Sequence, residues 1–213
     1  MSTISIISII GSGGMAAAIG GLAAKVGHAV EVMSRDAAKA RALAAGWSRR
    51  DDRDFRRRSG RGHCHSGGSL FGRSDVVKQY GEKLAGKLII DITNPIKSDF
   101  TGFLTPEESS GAQEIAKVAP ANATIVKAFN TQNAQVLAAG LVGGDPLDVF
   151  IAGDDSQAKL CVSAFIDSLG LRPMDTGRLT MARTLEHACM LWLGLMAHSI
   201  KHTNFSIRAS LFG

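Results

Sequence analysis

Apolar residues in this chain fall into short blocks of two alternating kinds. Residues 4–10 read ISIISII, five Ile and two Ser, and stop at Gly11. So β-branched a run suits a strand covered on both faces. Residues 15–26 are rich in Ala, Leu and Ile and predict a helix, ended by Gly27. Residues 29–33 (AVEVM) predict a second strand, and residues 36–45 (DAAKARALAA) a second helix. Beyond residue 74 the alternation resumes. It predicts a helix over 75–84, a strand over 87–92 closed by Thr93-Asn94-Pro95, and a helix over 109–118. A strand over 124–128, a helix over 132–139 and a strand over 148–152 follow. A helix over 156–169, a short strand over 172–175 and a long Met-rich helix over 181–197 complete the pattern. Strand and helix in strict alternation predict an α/β fold, a doubly wound parallel sheet of the Rossmann-like kind, with a C-terminal helical segment.

Composition narrows the classes. The chain has 213 residues, 45% of them hydrophobic and 20% charged, which is ordinary globular material. That length buries a sizeable core without disulfides. The longest apolar stretch near the C-terminus, residues 188–197, is too short to cross a bilayer. The N-terminus shows no basic region or cleavage site of a secretion signal. Cys64, Cys161 and Cys189 are odd in number and scattered, which fits a reducing cytoplasm. The expected setting is cytoplasmic, with no membrane partner.

The chemistry begins where the first strand ends. Gly11-Ser12-Gly13-Gly14-Met15-Ala16 fits G-x-G-x-x-G/A between a strand and a helix. Gly11 permits the tight turn, Gly13 lets the backbone approach a pyrophosphate, and Ala16 is small enough for close helix–strand packing. The helix N-terminus offers free N–H groups to phosphate. The plain alternative is a glycine turn that binds nothing. The end of the second strand selects the coenzyme. An acid there would hold the 2′-hydroxyl of NAD. This chain has Ser34-Arg35, with Lys39 one helical turn on, and these suit the 2′-phosphate of NADP(H). Asp36 is adjacent but can cap the second helix. Asn94-Pro95 and Ala128-Phe129-Asn130-Thr131 lie just past strand C-termini, the edge where ligands bind in such sheets. Asn130 and Thr131 are candidates for the ribose or the nicotinamide carboxamide, and Phe129 for packing near the ring. Alternatively Asn94-Pro95 is a turn and Asn130 a cap.

These stretches, together with IIDITNP, FIAGDDSQAK, DTGRLTMARTLE and HTNFS, resemble the short NADPH-dependent F-420 reductases, the F-420-dependent NADP oxidoreductase family. The likeness covers nearly the whole chain except residues 46–74. It implies hydride transfer between NADP(H) and a deazaflavin (F-420) or flavin-like acceptor. It carries NADP contacts onto Ser12, Gly13, Gly14, Met15, Ser34, Arg35 and Lys39. Catalysis in such proteins resembles face-to-face positioning of two cofactors, so no catalytic side chain is assigned. The C-terminal helix and the tail around Asn204 and Phe205 are expected to form part of the acceptor site or a homodimer contact. The expected division is an NADP-binding domain over 1–176 and a helical segment over 177–213.

Residues 46–74 break the pattern. They hold eight Arg and three Asp, the whole of the chain's net charge of +5, and no Val, Ile or Thr. The family has a buried strand here, ending in a motif like L-A-V-P, and no such strand is expected from these residues. Read one base later, codons for Gly62-His63-Cys64-His65-Ser66-Gly67-Gly68-Ser69-Leu70-Phe71-Gly72 permit V-I-V-I-L-A-V-P-Y-S. The segment therefore reads as a frameshift between two compensating base changes. Resequencing the gene tests this, and peptide masses matching the written residues 46–74 from an unaltered frame would refute it.

Two rival classes follow. One is a non-catalytic NADPH-binding or sensor protein. The other binds nucleic acid through the Arg segment, and it ranks last because Trp47, Phe55 and Phe71 are too scattered for a stacking platform. No metal site is expected. His63-Cys64-His65 cannot easily all face one ion, and His187, His198 and His202 have no evident acidic or Cys ligand beside them.

Overall fold

The computed structural model describes residues 6–34, 36–47, 68–71, 74–142, 144–210 and 212. Its elements follow the predicted order. They are β1 (Ile6–Ile10), α1 (Gly14–Lys25), β2 (Ala29–Met33), α2 (Ala37–Ala45), β3 (Gly68–Phe71) and α3 (Ser74–Tyr80). Next come β4 (Leu88–Asp91), α4 (Gly111–Val118), β5 (Thr124–Lys127), α5 (Ala134–Ala139), β6 (Leu141–Val142) and β7 (Asp145–Pro146). The chain ends through β8 (Asp148–Gly153), α6 (Ser156–Ser168), β9 (Arg172–Asp175) and α7 (Ala182–Leu195). A 3-10 turn at Leu179–Met181 leads into α7, and a π-helical turn at Met196–Ile200 ends it.

Seven strands form one sheet in the order β2-β1-β3-β4-β5-β8-β9. The pairs β2-β1, β1-β3, β3-β4 and β4-β5 are all parallel, as the alternation predicts. The sheet is not parallel throughout, however. β8 runs antiparallel to β5, and β9 is parallel to β8. The short antiparallel pair β6-β7 lies between α5 and β8 and was not read from the sequence. It turns the chain round so that β8 enters from the opposite end.

The strand expected to be missing is present. The backbone of Gly68–Phe71 fills the slot between β1 and β4, with Ser8 opposite Ser69 and Leu70 opposite Ile90. Main-chain N–H and C=O groups form a ladder whatever the side chains are, and an open slot between two parallel strands leaves both rows unpaired. The charged remainder, 48–67, lies outside the described residues.

Two apolar layers hold the sheet. On one side Ile7, Ile9, Ile19, Ile90, Val126 and Leu137 pack with Val149, Val162, Phe165 and Ile166. On the other, Val77, Leu84, Ile89, Ile115 and Ile125 pack with Leu179 and Ala182 at the base of α7. Side chains alternate across a strand, so consecutive Ile89 and Ile90 enter opposite layers. Trp47 packs onto α1 at Gly20, where any larger residue would strike its ring.

Candidate functional site

The phosphate loop takes the predicted form. The Gly11 N–H donates to the Met33 carbonyl at 2.7 Å, which ties the turn to the end of β2. Gly11 has φ +130°, a conformation that only glycine adopts freely. Gly13 caps α1 with no side chain, so the first-turn N–H groups are left for a ligand. A Cβ at Gly11 or Gly13 would meet no atom within 4 Å, so an open cradle surrounds the loop. Gly14 lies against α5, where its added Cβ would come to 3.3 Å of Ala134 Cβ. Met15 is partly buried against the core and Ala16 is buried.

Of the residues expected to select the coenzyme, Ser34 meets this loop. Ser12 Oγ and Ser34 Oγ are 3.0 Å apart. Ser34 Oγ also accepts the Asp36 N–H at 3.2 Å. Asp36 caps α2, taking the N–H groups of Ala38 and Lys39 at 3.1 and 3.0 Å, so its carboxylate is engaged on the helix. Lys39 is exposed and 3.6 Å from Asp36. Arg35 lies outside the described residues.

At the C-terminal ends of β4 and β5 the two predicted Asn residues face each other. Asn94 Nδ2 donates to the Asn130 carbonyl at 2.7 Å. Asn130 Nδ2 donates to Asn94 Oδ1 and to the Leu185 carbonyl, both at 2.9 Å. Asn130 is thus a clasp between the sheet edge and α7, rather than a helix cap. Asn133 does the capping of α5. Among the described residues, the buried Asn130 Oδ1, Thr131 Oγ1 and Gln132 Oε1 have no hydrogen-bond partner. Unmet buried polar atoms of this kind cost about 1–3 kcal/mol each. Pro95 shapes the next loop, its carbonyl accepting the Leu104 N–H at 2.6 Å.

Phe129 does not do what was expected of it. It is fully buried, with its ring 6.3 Å from that of Phe165 in the core, so it is not a wall of the ligand cleft. Its φ of +62° turns the chain at the strand end and sends the side chain inward. Ala128 is likewise fully buried, its N–H donating to the Asp91 carbonyl at 3.0 Å. Phe205 stacks on Trp192 at 4.7 Å within its own chain, and Asn204 is exposed.

The sequence gives little sign of a buried polar cluster that the fold assembles. Lys127 ends β5 with no exposed surface. Its ammonium donates to Asp91 Oδ2 at 2.8 Å, to Glu186 Oε1 at 2.6 Å and to the Thr93 carbonyl. Asp91 Oδ1 accepts the N–H and hydroxyl of Thr93 at 3.0 and 2.7 Å. Glu186 Oε1 also accepts the Gly111 N–H, the first of α4, at 2.9 Å. Burial pushes the Glu186 carboxyl above its ordinary value, against the pull of Lys127 and of that N–H. The available signal was a charged residue closing each of two apolar strands, in LIID and TIVK.

Beside this cluster lies a cavity of about 490 Å³. Lys97, Phe103, Arg183, Glu186 and His187 are among its lining residues. The Phe103 and His187 rings are 4.7 Å apart. The loop over it is pinned by hydrogen bonds from Lys97 N–H to the Gly102 carbonyl and from Leu104 N–H to Pro95.

Comparison with known proteins places this arrangement. No protein-family model matches the chain. A solved protein of Arthrobacter sp. FB24, assigned as an F-420-dependent NADP-reductase, is 25% identical, with a TM-score of 0.72 over 97% of this chain and 99% of that one. The family likeness read from the residues therefore holds in three dimensions. A reductive aminase of Aspergillus terreus, solved with NADPH, matches 92% of this chain and 62% of its own, at 19% identity and a TM-score of 0.58. The rat metalloreductase STEAP3 is 37% identical over 105 residues, 49% of this chain. The chain spans 20% of that relative's length. The chain has the Rossmann-like fold of NADP(H)-binding reductases. No helix among the described residues is long and apolar enough to cross a membrane.

Proposed function

We propose that this protein is an NADP(H)-dependent oxidoreductase that passes hydride between NADP(H) and a deazaflavin (F-420) or flavin-like acceptor. The observation that carries the coenzyme reading is the 3.0 Å meeting of Ser12 and Ser34 beside an Asp36 already engaged as a helix cap. The cap bonds on Asp36 Oδ1 turn that carboxylate toward α2, and two hydroxyls with the nearby Lys39 suit a 2′-phosphate. Arg35 is assigned to the same phosphate from its position in the sequence.

The donor set fits the coenzyme along its length. Ser12, Gly13, Gly14 and Met15 would cradle the pyrophosphate with main-chain N–H groups, on the turn that Gly11 makes. Asn94, Pro95, Asn130 and Thr131 would line the nicotinamide end, where buried polar atoms lack partners among the described residues. Bound there, the coenzyme supplies a hydride. Asn130, held from both sides by Asn94 and Leu185, fixes the distance between sheet edge and α7. The likeness to the Arthrobacter protein supports F-420 as acceptor, and that to the reductases solved with NADPH supports the coenzyme.

Fluorescence titration with NADPH and NADH, followed by an acceptor panel including F-420, FMN and ferric chelates, tests this. NADPH is expected to bind at least tenfold more tightly. A preference for NADH overturns the assignment of Ser34 and Arg35. NADPH binding without turnover on any acceptor turns the protein into an NADPH-binding sensor.

A further inference from the structure

We propose that the cavity under the 95–109 segment is the acceptor pocket and that Glu186 is its proton donor, serving a conjugated ring acceptor of the deazaflavin type that takes hydride on a ring carbon and a proton on a ring nitrogen. The inference rests on the NADP(H) reading above.

Charge counting in the buried cluster leads to it. Lys127 brings one positive charge, and Asp91 and Glu186 bring two negative ones. All three ammonium N–H groups are used, on Asp91, Glu186 and the Thr93 carbonyl. Asp91 has both oxygens engaged. Glu186 Oε1 is engaged twice. Among the described residues no hydrogen bond reaches Glu186 Oε2. One negative charge is left over where the side chains of Lys127 and Asp91 have no exposure and that of Glu186 has 1%. An uncompensated charge in such a place is neutralised by a proton. Oε2 is where that proton adds without breaking a hydrogen bond.

Position turns the stored proton into a usable one. Glu186 belongs both to the cluster and to the cavity wall. Its Oε1 packs at Gly111 beside Pro95 Cγ and Thr93 Oγ1, next to the strand ends assigned to the nicotinamide. The cavity is of the size that takes a small organic molecule. Phe103 and His187 give it aromatic surface, and Lys97 and Arg183 give it cations.

The step balances. Hydride from the coenzyme would bring two electrons to the acceptor's ring carbon as the conjugated π system shifts an electron pair onto a ring nitrogen. The displaced pair takes the proton from Glu186 Oε2. Glu186 is left a carboxylate beside Lys127, and solvent entering the cavity reprotonates it. Lys127 is a positioning residue, since it touches Glu186 and not the acceptor. The groups facing Glu186 are Lys127 and Asp91 from the sheet and Cys189 from α7, with Lys97, Glu107, Arg183 and His187 around the cavity. Burial has already pushed the Glu186 carboxyl up.

The first test needs no variant and no turnover. The chain contains six Glu residues. Carbon NMR of the full chain labelled at glutamate Cδ should show one of six titrating well above the others. Six ordinary titrations overturn the proposal. The second test is Glu186→Gln with saturating NADPH in single turnover. NADPH affinity should stay within twofold while acceptor reduction falls about 100-fold or more. The fall of the wild-type rate at high pH should vanish with it. A variant reducing acceptor at the wild-type rate overturns the role of Glu186 and leaves the NADP(H) reading standing. A wild type that binds no NADPH overturns both.

Discussion

Asp148 and Glu186 are buried carboxylates that meet cations, and their settings pull them in opposite directions. Asp148, the first residue of β8, is gripped by Arg172 at 2.5 and 2.8 Å and by the Ala209 N–H at 2.7 Å. Burial raises its carboxyl, but these hydrogen bonds and the charges of Arg172 and Arg208 outweigh that and hold it below its ordinary value. Glu186 shares one Lys127 with Asp91, and burial wins. The lesson is stoichiometric. One acid with a bidentate guanidinium makes a closed pair, here used to fasten the C-terminal tail to the sheet through Arg172 and the Ala209 carbonyl. Two acids around one ammonium leave a charge to be neutralised, which is a poor clamp and a good proton store.

Breaking each centre should expose the difference. The largest effect is expected for Lys127→Met, which strands two carboxylates together in the core. A loss of about 3–5 kcal/mol in urea unfolding is expected, recovered in part as the pH is lowered. Asp148→Asn should cost less, about 1.5–3 kcal/mol, because the partly exposed Arg172 can turn to solvent. It should also speed amide exchange at Ala209.

The pH dependence of unfolding should differ in sign. Glu186 is raised above 4.5 in the folded state, so its contribution is full below that value and is lost as pH rises through the folded value. Asp148 is lowered below 3.8, so its contribution is present above that value and is lost as pH falls through the folded one. Glu186→Gln should flatten the first limb and Asp148→Asn the second. Unchanged limbs in both variants would dissolve the distinction. The smallest effect is expected for Gly111→Ala. Its methyl would sit 3.2 Å from Glu186 Oε1 and 3.4 Å from Pro95 and Thr93. About 1 kcal/mol of stability should be lost, with a shift of the Glu186 carbon signal and little change at Asp148.

The parts of the site carried by backbone were legible. The glycine loop and the cap at Asp36 follow from residue types at strand ends, because local conformation decides them, whereas the meeting of Asn94 with Asn130 across 36 residues does not. Phe129 was misread because a positive φ reverses where a side chain points, and nothing in FNT announces it. Gly68–Phe71 was misread because a strand in mid-sheet is recruited by its neighbours' unpaired main chain. Its segment is still the place where the gene sequence should be checked.

By itself, then, the sequence determined the alternation of strand and helix and the form of the phosphate loop, which depend on residues close together along the chain. The tertiary structure alone decided that Asp91, Lys127 and Glu186 meet, since they are 36 and 59 residues apart along the chain. It also decided that they meet at a cavity. Charges that far apart in sequence have no local signature, and their balance exists only once the sheet and α7 have closed over them.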